Sequence, residues 1–101
     1  MDPVHIEHTA DTTHVMLEAV LGIVDARMLH EKLSTVLACA TPVVLDGSRV
    51  ERLDTSAMQV LACFCRAARE RGMAISWQSP SSGLQQAAQW LGLESILEMK
   101  S

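Results

Sequence analysis

The side chains in this sequence best placed to do chemistry are three in a row, Asp54, Thr55 and Ser56. They follow the apolar run Val43-Val44-Leu45, which ends at Asp46, and a loop that opens at Gly47 and Ser48 and lasts to about Leu53. Aspartate is a strong helix N-cap, because its carboxylate accepts hydrogen bonds from the free amides one turn ahead. Thr55 and Ser56 then fall on the first helical turn, where hydroxyls are accessible. Two local readings stand side by side. The triplet is either no more than a capped helix start or a functional turn, since loops beyond the carboxyl ends of parallel strands carry function in open α/β sheets.

Other chemistry finds little to work with. The five glycines, at 22, 47, 72, 83 and 92, are isolated and build no phosphate-cradling loop. The four histidines, His5, His8, His14 and His30, all lie in the first third, and none sits in a nucleophile motif. His5 and His8 are three apart, which places them on opposite faces of a strand and reads as a solvated strand end. Cys63 and Cys65 flank Phe64 and would point about 200° apart on a helix, so they do not share one metal ion. Ordinary packing is the expectation for the free cysteines, including Cys39. Asp46 ends a strand as the acceptor of a phosphoryl-receiving domain would. Such a domain also needs an acidic pair at its first strand end and a lysine at a late one, and neither Lys32 nor Lys100 is so placed. The sequence therefore points to no catalytic residue, no metal ligand and no cofactor.

The elements that must position the triplet alternate in type. Val4 to His8 and His14 to Val20 alternate apolar and polar residues as strands do, with Asp11-Thr12-Thr13 as a turn between them and Val15, Leu17 and Ala19 on one parity. Asp25 is placed to cap a helix to about Ala38, whose apolar residues Ala26, Leu29, Leu33, Val36 and Leu37 recur at helical spacing. Thr41-Pro42 ends it, and Val43-Val44-Leu45 reads as a strand buried on both faces. The next helix is predicted from Thr55 to Arg71 with Gly72 as its stop, and Ala57, Leu61, Phe64 and Ala68 on the face that packs. That phase leaves Met58, Gln59, Ala62, Arg66 and Arg69 facing away from the core, either as a solvated face or as a partner-docking surface. Met73 to Trp77 reads as a strand, Ser79-Pro80-Ser81-Ser82 as a turn, and Gly83 to Trp90 as a helix closed by Leu91-Gly92-Leu93. Ser95 to Met99 would add a last strand or short helix. Trp77 and Trp90 are expected to pack in the core or at its rim. The order implies an α/β fold with a mixed, mostly parallel sheet of four to five strands packed with helices.

Composition narrows the function classes. With 101 residues and nearly half of them hydrophobic, the chain suits one domain, 1–101, with a real core. The formal charge is -4 and no basic run exists, which argues against nucleic acid as a partner. No apolar stretch approaches membrane-span length, the first residues lack signal-peptide character, and three cysteines are an odd number. Together these lead to the expectation of a cytoplasmic protein without direct membrane insertion, monomeric or weakly dimeric.

The stretch Val43-Val44-Leu45-Asp46-Gly47-Ser48-Arg49-Val50-Glu51-Arg52-Leu53-Asp54-Thr55-Ser56-Ala57-Met58 resembles the signature of the STAS family, in which a strand ending in Asp leads through a Ser-containing loop to an Asp-Ser/Thr-Ser/Ala-Gly turn and a Leu-rich helix. Arg69-Glu70-Arg71-Gly72-Met73-Ala74-Ile75 resembles the helix end and next strand. Ser79-Pro80, Leu84, Ala88 and Leu91-Gly92-Leu93 resemble the last helix. The sequence departs from the pattern at Ala57, where the family has glycine, and at Gly47, where an apolar residue is usual. The resemblance implies a non-enzymatic protein-interaction switch of the anti-sigma factor antagonist type, acting in bacterial signal transduction and transcription regulation. A serine at this turn is there phosphorylated by a partner that is both serine kinase and anti-sigma factor, and it falls on Ser56. Asp46, Ser48, Asp54 and Thr55 make up the switch loop, and a phosphatase is a further implied partner. In another branch, the STAS subunit of a lipid-transporting ABC system, a threonine that falls on Thr55 matters for binding the transporter ATPase. A signalling or chemotaxis scaffold is a third implied role.

Overall fold

In the computed structural model, residues 3–97 are described. Strands β1 (Val4–His8) and β2 (Thr13–Leu17) form an antiparallel hairpin. Strand β2 pairs in parallel with β4 (Val43–Asp46), and β4 with β6 (Ile75–Gln78), giving a four-stranded sheet in the order β1-β2-β4-β6. The architecture is the mixed, mostly parallel α/β sheet implied by the alternation of elements. Register aligns Ile6, Val15, Leu45 and Trp77 in one row across the sheet. His5, Met16, Asp46 and Gln78 form a row on the other face.

That second face corrects one expectation. Val43 and Leu45 are buried, but Val44 between them is only half-buried, so β4 is not enclosed on both sides. Its neighbours in register are His14 and Ser76, and the helices cover chiefly the opposite face. The strand expected over His14 to Val20 also divides. Val20–Leu21 forms a separate strand, β3, which pairs in parallel with β5 (Arg52–Leu53) in a small second sheet. The cause lies at Ala19, whose carbonyl accepts from the amides of Glu51 and Arg52 at 2.8 and 3.1 Å and so binds the chain to the distant loop.

Helix α1 (Ala26–Cys39) follows a single 3₁₀ turn at Ile23–Asp25 and buries Leu29, Leu33 and Val36. Asp25 does not cap it. The Asp25 carboxylate instead accepts from the Gly22 amide at 2.8 Å, and its backbone is already helical. Helix α2 (Thr55–Glu70) starts at the predicted residue and stops before Gly72, whose φ of 74° suits a residue without a side chain. Helix α3 (Ser82–Leu91) is capped by the Ser81 hydroxyl, which accepts from the Leu84 amide at 3.1 Å. Of the alternatives for the last segment, a short helix forms, α4 (Glu94–Leu97); Glu98 and Met99 lie outside the described residues.

Helix α2 is covered on two flanks, and this overturns its expected outer face. Met58 is 0% exposed and Ala62 6%, so both belong to the core. The helix packs against α1 on one side and α4 on the other. The Arg69 guanidinium, also expected outside, is half-buried and donates to the carbonyls of Ser95 and Ile96, tying α4 down. Gln59 and Arg66 do remain exposed. The tryptophans diverge. Trp77 packs against the core, and its indole N–H donates to the Leu97 carbonyl at 2.9 Å. Trp90 is 79% exposed, contrary to the packing expected of it. Cys65 is buried as expected, whereas Cys39 and Cys63 are exposed.

Candidate functional site

The site is built where β4 and β5 hand the chain to α2. Asp46, at the end of β4, is half-buried and accepts the Ser48 amide on its carboxylate at 3.0 Å, which bends the chain out of the sheet. Gly47 explains its own departure from the family pattern. A Cβ there would lie 2.6 Å from Leu84 Cδ2 and 3.3 Å from a Trp77 ring carbon, so the backbone needs the space that any side chain would fill. The Gly47 carbonyl accepts from the amides of Val50 and Ser81, which holds the loop beneath the start of α3. Buried Val50 anchors the middle of the loop. At its far end the Asp54 amide donates to the Leu21 carbonyl at 2.7 Å, so pairing of β3 with β5 fixes where α2 begins.

At the helix start, Asp54 Oδ2 accepts two bonds from one residue. The Ser56 amide donates at 2.9 Å and the Ser56 hydroxyl at 2.6 Å. These two donors, the hydroxyl first and the amide second, hold the Asp54 carboxyl below its ordinary value. The hydroxyl proton is thus directed at a carboxylate. Asp46 uses its carboxylate on Ser48, so the two aspartates serve separate turns.

The two hydroxyls, adjacent in sequence, face different surroundings. Ser56 is half-buried and lines an open groove between α1 and α2, together with Arg27, His30, Gln59 and Cys63. Thr55 is exposed and borders a second groove formed with Leu53, Ala87, Trp90 and Leu91. Met58 lies at the floor of that second groove. Gln59, Ala62 and Arg66 line a third, shallow groove with Leu93 and Ile96 of the α4 region.

Sequence reasoning missed the exposed apolar residues near this end of the molecule: Ile23 and Val24 ahead of α1, and Trp90 and Leu91 at the end of α3. Helical phase could have found Trp90, which lies well away from the buried pair Leu84 and Ala88 around the helix. Among the described residues, no group of three or more His, Cys, Asp or Glu side chains is arranged to hold a metal ion. No helix among them is long and apolar enough to cross a membrane.

A family model described as "Mlab, STAS domain" matches residues 4–98. Among solved structures, the chain superposes on a putative anti-sigma factor antagonist from Thermotoga maritima with a TM-score of 0.78 at 18% identity, covering 93% of this chain and 82% of that one. It superposes on the Bacillus cell fate determinant SpoIIAA in its phosphorylated form with a TM-score of 0.71 at 18% identity, covering 92% and 86%. A third similar structure, Mglu, gives a TM-score of 0.69 at 22% identity over 79% of this chain, which spans only 20% of Mglu. No match is found among curated proteins. At these identities the structural likeness speaks for the fold.

Proposed function

The chain belongs to the STAS domain family, and from that premise we propose that it is a non-enzymatic, cytoplasmic interaction switch of the anti-sigma factor antagonist kind, controlled by phosphorylation of Ser56. The observation that carries the proposal is the hydrogen bond from the Ser56 hydroxyl to Asp54 at the exposed start of α2. A phosphoryl group on that oxygen removes the donor and adds a charge of about -1.5 to -2. The helix start favours an anion, whereas the Asp54 carboxylate opposes it. The helix itself remains anchored by Ala57, Leu61 and Phe64, so modification changes the surface and leaves the fold in place. A surface switch read by a protein partner, a serine kinase that is also an anti-sigma factor, fits that outcome. Exposed Gln59 and Arg66 would lie on the contacted face.

Coexpression with such a kinase, followed by mass mapping of the peptide that spans Asp54 to Arg66, tests the reading. Phosphate on Ser56, absent from Ser56→Ala, is the expected result. The protein alone should hydrolyse no ATP above background. Phosphate on neither hydroxyl refutes the switch. A second reading draws on one specific feature: Thr55 is exposed beside Trp90 and Leu91, a mixed polar and apolar surface suited to docking. In that reading the protein is an accessory subunit bound to a transporter ATPase. Tight binding to such an ATPase that Thr55→Arg abolishes, with Ser56 unmodified, would favour it.

A further inference from the structure

Arg27 and His30 are three apart on α1 and so share a face, and both line the groove of about 420 Å³ into which Ser56 opens. The role of neither is accounted for by packing, since both are exposed. We infer that this groove is an internal phosphoserine receiver: once Ser56 is modified, Arg27, assisted by His30, takes the phosphoryl oxygens across the space between α1 and α2. The inference rests on Ser56 being the phosphoacceptor.

The modification joins Ser56 Oγ to the terminal phosphorus of a nucleoside triphosphate; the diphosphate leaves, and the Oγ proton passes to a kinase base or to solvent. The bond to Asp54 Oδ2, now 2.6 Å long, loses its proton, and two anions then face each other. Serine has other staggered rotamers, and Ser56 lines the groove, so an oxygen that leaves Asp54 has the groove open to it. The charged or titratable groups at this groove and its rim are Arg27, His30 and Glu31 on α1, with Asp54 at the cap. Arg27 is only loosely held: its Nε lies 3.5 Å from Glu31, with the two side chains 91% and 66% exposed. A solvated pair of this kind is worth little, whereas a guanidinium fork meets a phosphate with two parallel, charge-assisted bonds. Arg27 therefore has more to gain from the phosphoryl group than from Glu31. Gln59 and Cys63, on the α2 side of the groove, add no charge that would oppose it.

The test places phosphoserine at position 56 during translation, using a phosphoseryl-tRNA and a recoded stop codon in the full chain, so no kinase is needed. Phosphorus NMR then follows the second ionisation of the phosphoserine. Arg27→Gln should raise its apparent pKa by about 0.5 unit, because a cation stabilising the dianion is lost. Arg27→Lys should recover part of the shift, since lysine keeps the charge without the fork. The difference should persist in a His30→Gln background, which isolates the contribution of Arg27. Coincident titrations of wild type and Arg27→Gln, within about 0.1 unit, overturn the inference. Equal melting temperatures of the unmodified proteins would show that Arg27→Gln acts on the phosphate and not through folding. Failure of a kinase to modify Ser56 would sink the proposed function separately, because the installed phosphoserine still reports on Arg27.

Discussion

Met58 and Gln59 are neighbours on α2, and truncating them should have unlike effects. Met58 is fully buried, and it lines the floor of the Thr55 groove together with Leu53, Ala87 and Trp90. Met58→Ala removes the thioether and leaves a cavity, which costs about 2–5 kcal/mol in comparable core sites. A chain of 101 residues unfolds with an entropy of about 0.2 kcal/mol/K, so a loss of about 3 kcal/mol lowers the melting temperature by roughly 14 °C. Gln59 is exposed, and Gln59→Ala should stay within about 0.5 kcal/mol, or about 2 °C. Met58→Asp should not fold at all near room temperature, because it buries a carboxylate among apolar neighbours. Circular dichroism melts and urea titrations of the three variants provide the comparison. Equal small shifts for Met58→Ala and Gln59→Ala would refute the phase of α2 and return Met58 to the surface. The comparison also guards the functional assays, since loss of partner binding in a Met58 variant reports stability before it reports contact.

Three further outcomes are expected. Gly47→Ala should cost about 1–3 kcal/mol through overpacking against Leu84, and less in a Leu84→Val background; additive costs in the double-mutant cycle would contradict the close approach. Trp90→Ser should leave the melting temperature within about 2 °C of wild type yet weaken binding of a protein partner docked beside Thr55, whereas a larger thermal loss would show that Trp90 packs. The Asp54 cap should depend on pH in a known direction: its carboxyl is depressed in the fold, so its contribution is complete above the unfolded value of about 3.9 and is lost as pH falls through the lower folded value. The stability gap between wild type and Asp54→Ala, read by urea titration, should therefore close under acid; a gap that widens there would overturn the assignment of the cap.

Local chemistry made the start of the site legible in the sequence. An aspartate followed by two hydroxyl residues ahead of a helical apolar period specifies a cap, and the cap forms at Asp54. Gly72 ends α2 for an equally local reason, the positive φ it adopts. Strand alternation placed Val15 and Leu17 on one face, and both are buried, because side-chain parity is a property of the strand itself. What the sequence by itself determined, then, was the fold class, the element order and the position of the turn.

Tertiary structure alone decided which surfaces that turn presents. Helical period reports the direction of a helix's strongest apolar face, not how many partners cover it, and α4 arrives at α2 from nearly thirty residues away, held through Arg69. Cover from the α3 side at Met58 and from Leu93 and Ile96 at Ala62 makes both core residues, while Gln59 stays exposed. The division of β3 from β2 follows from a long-range bond at Ala19, and the role of Gly47 follows from Leu84 and Trp77, which no local pattern brings together. Thr55 and Ser56 face different grooves because α1 and α3 flank the start of α2 on opposite sides, a separation set by packing against the sheet and invisible in two adjacent letters.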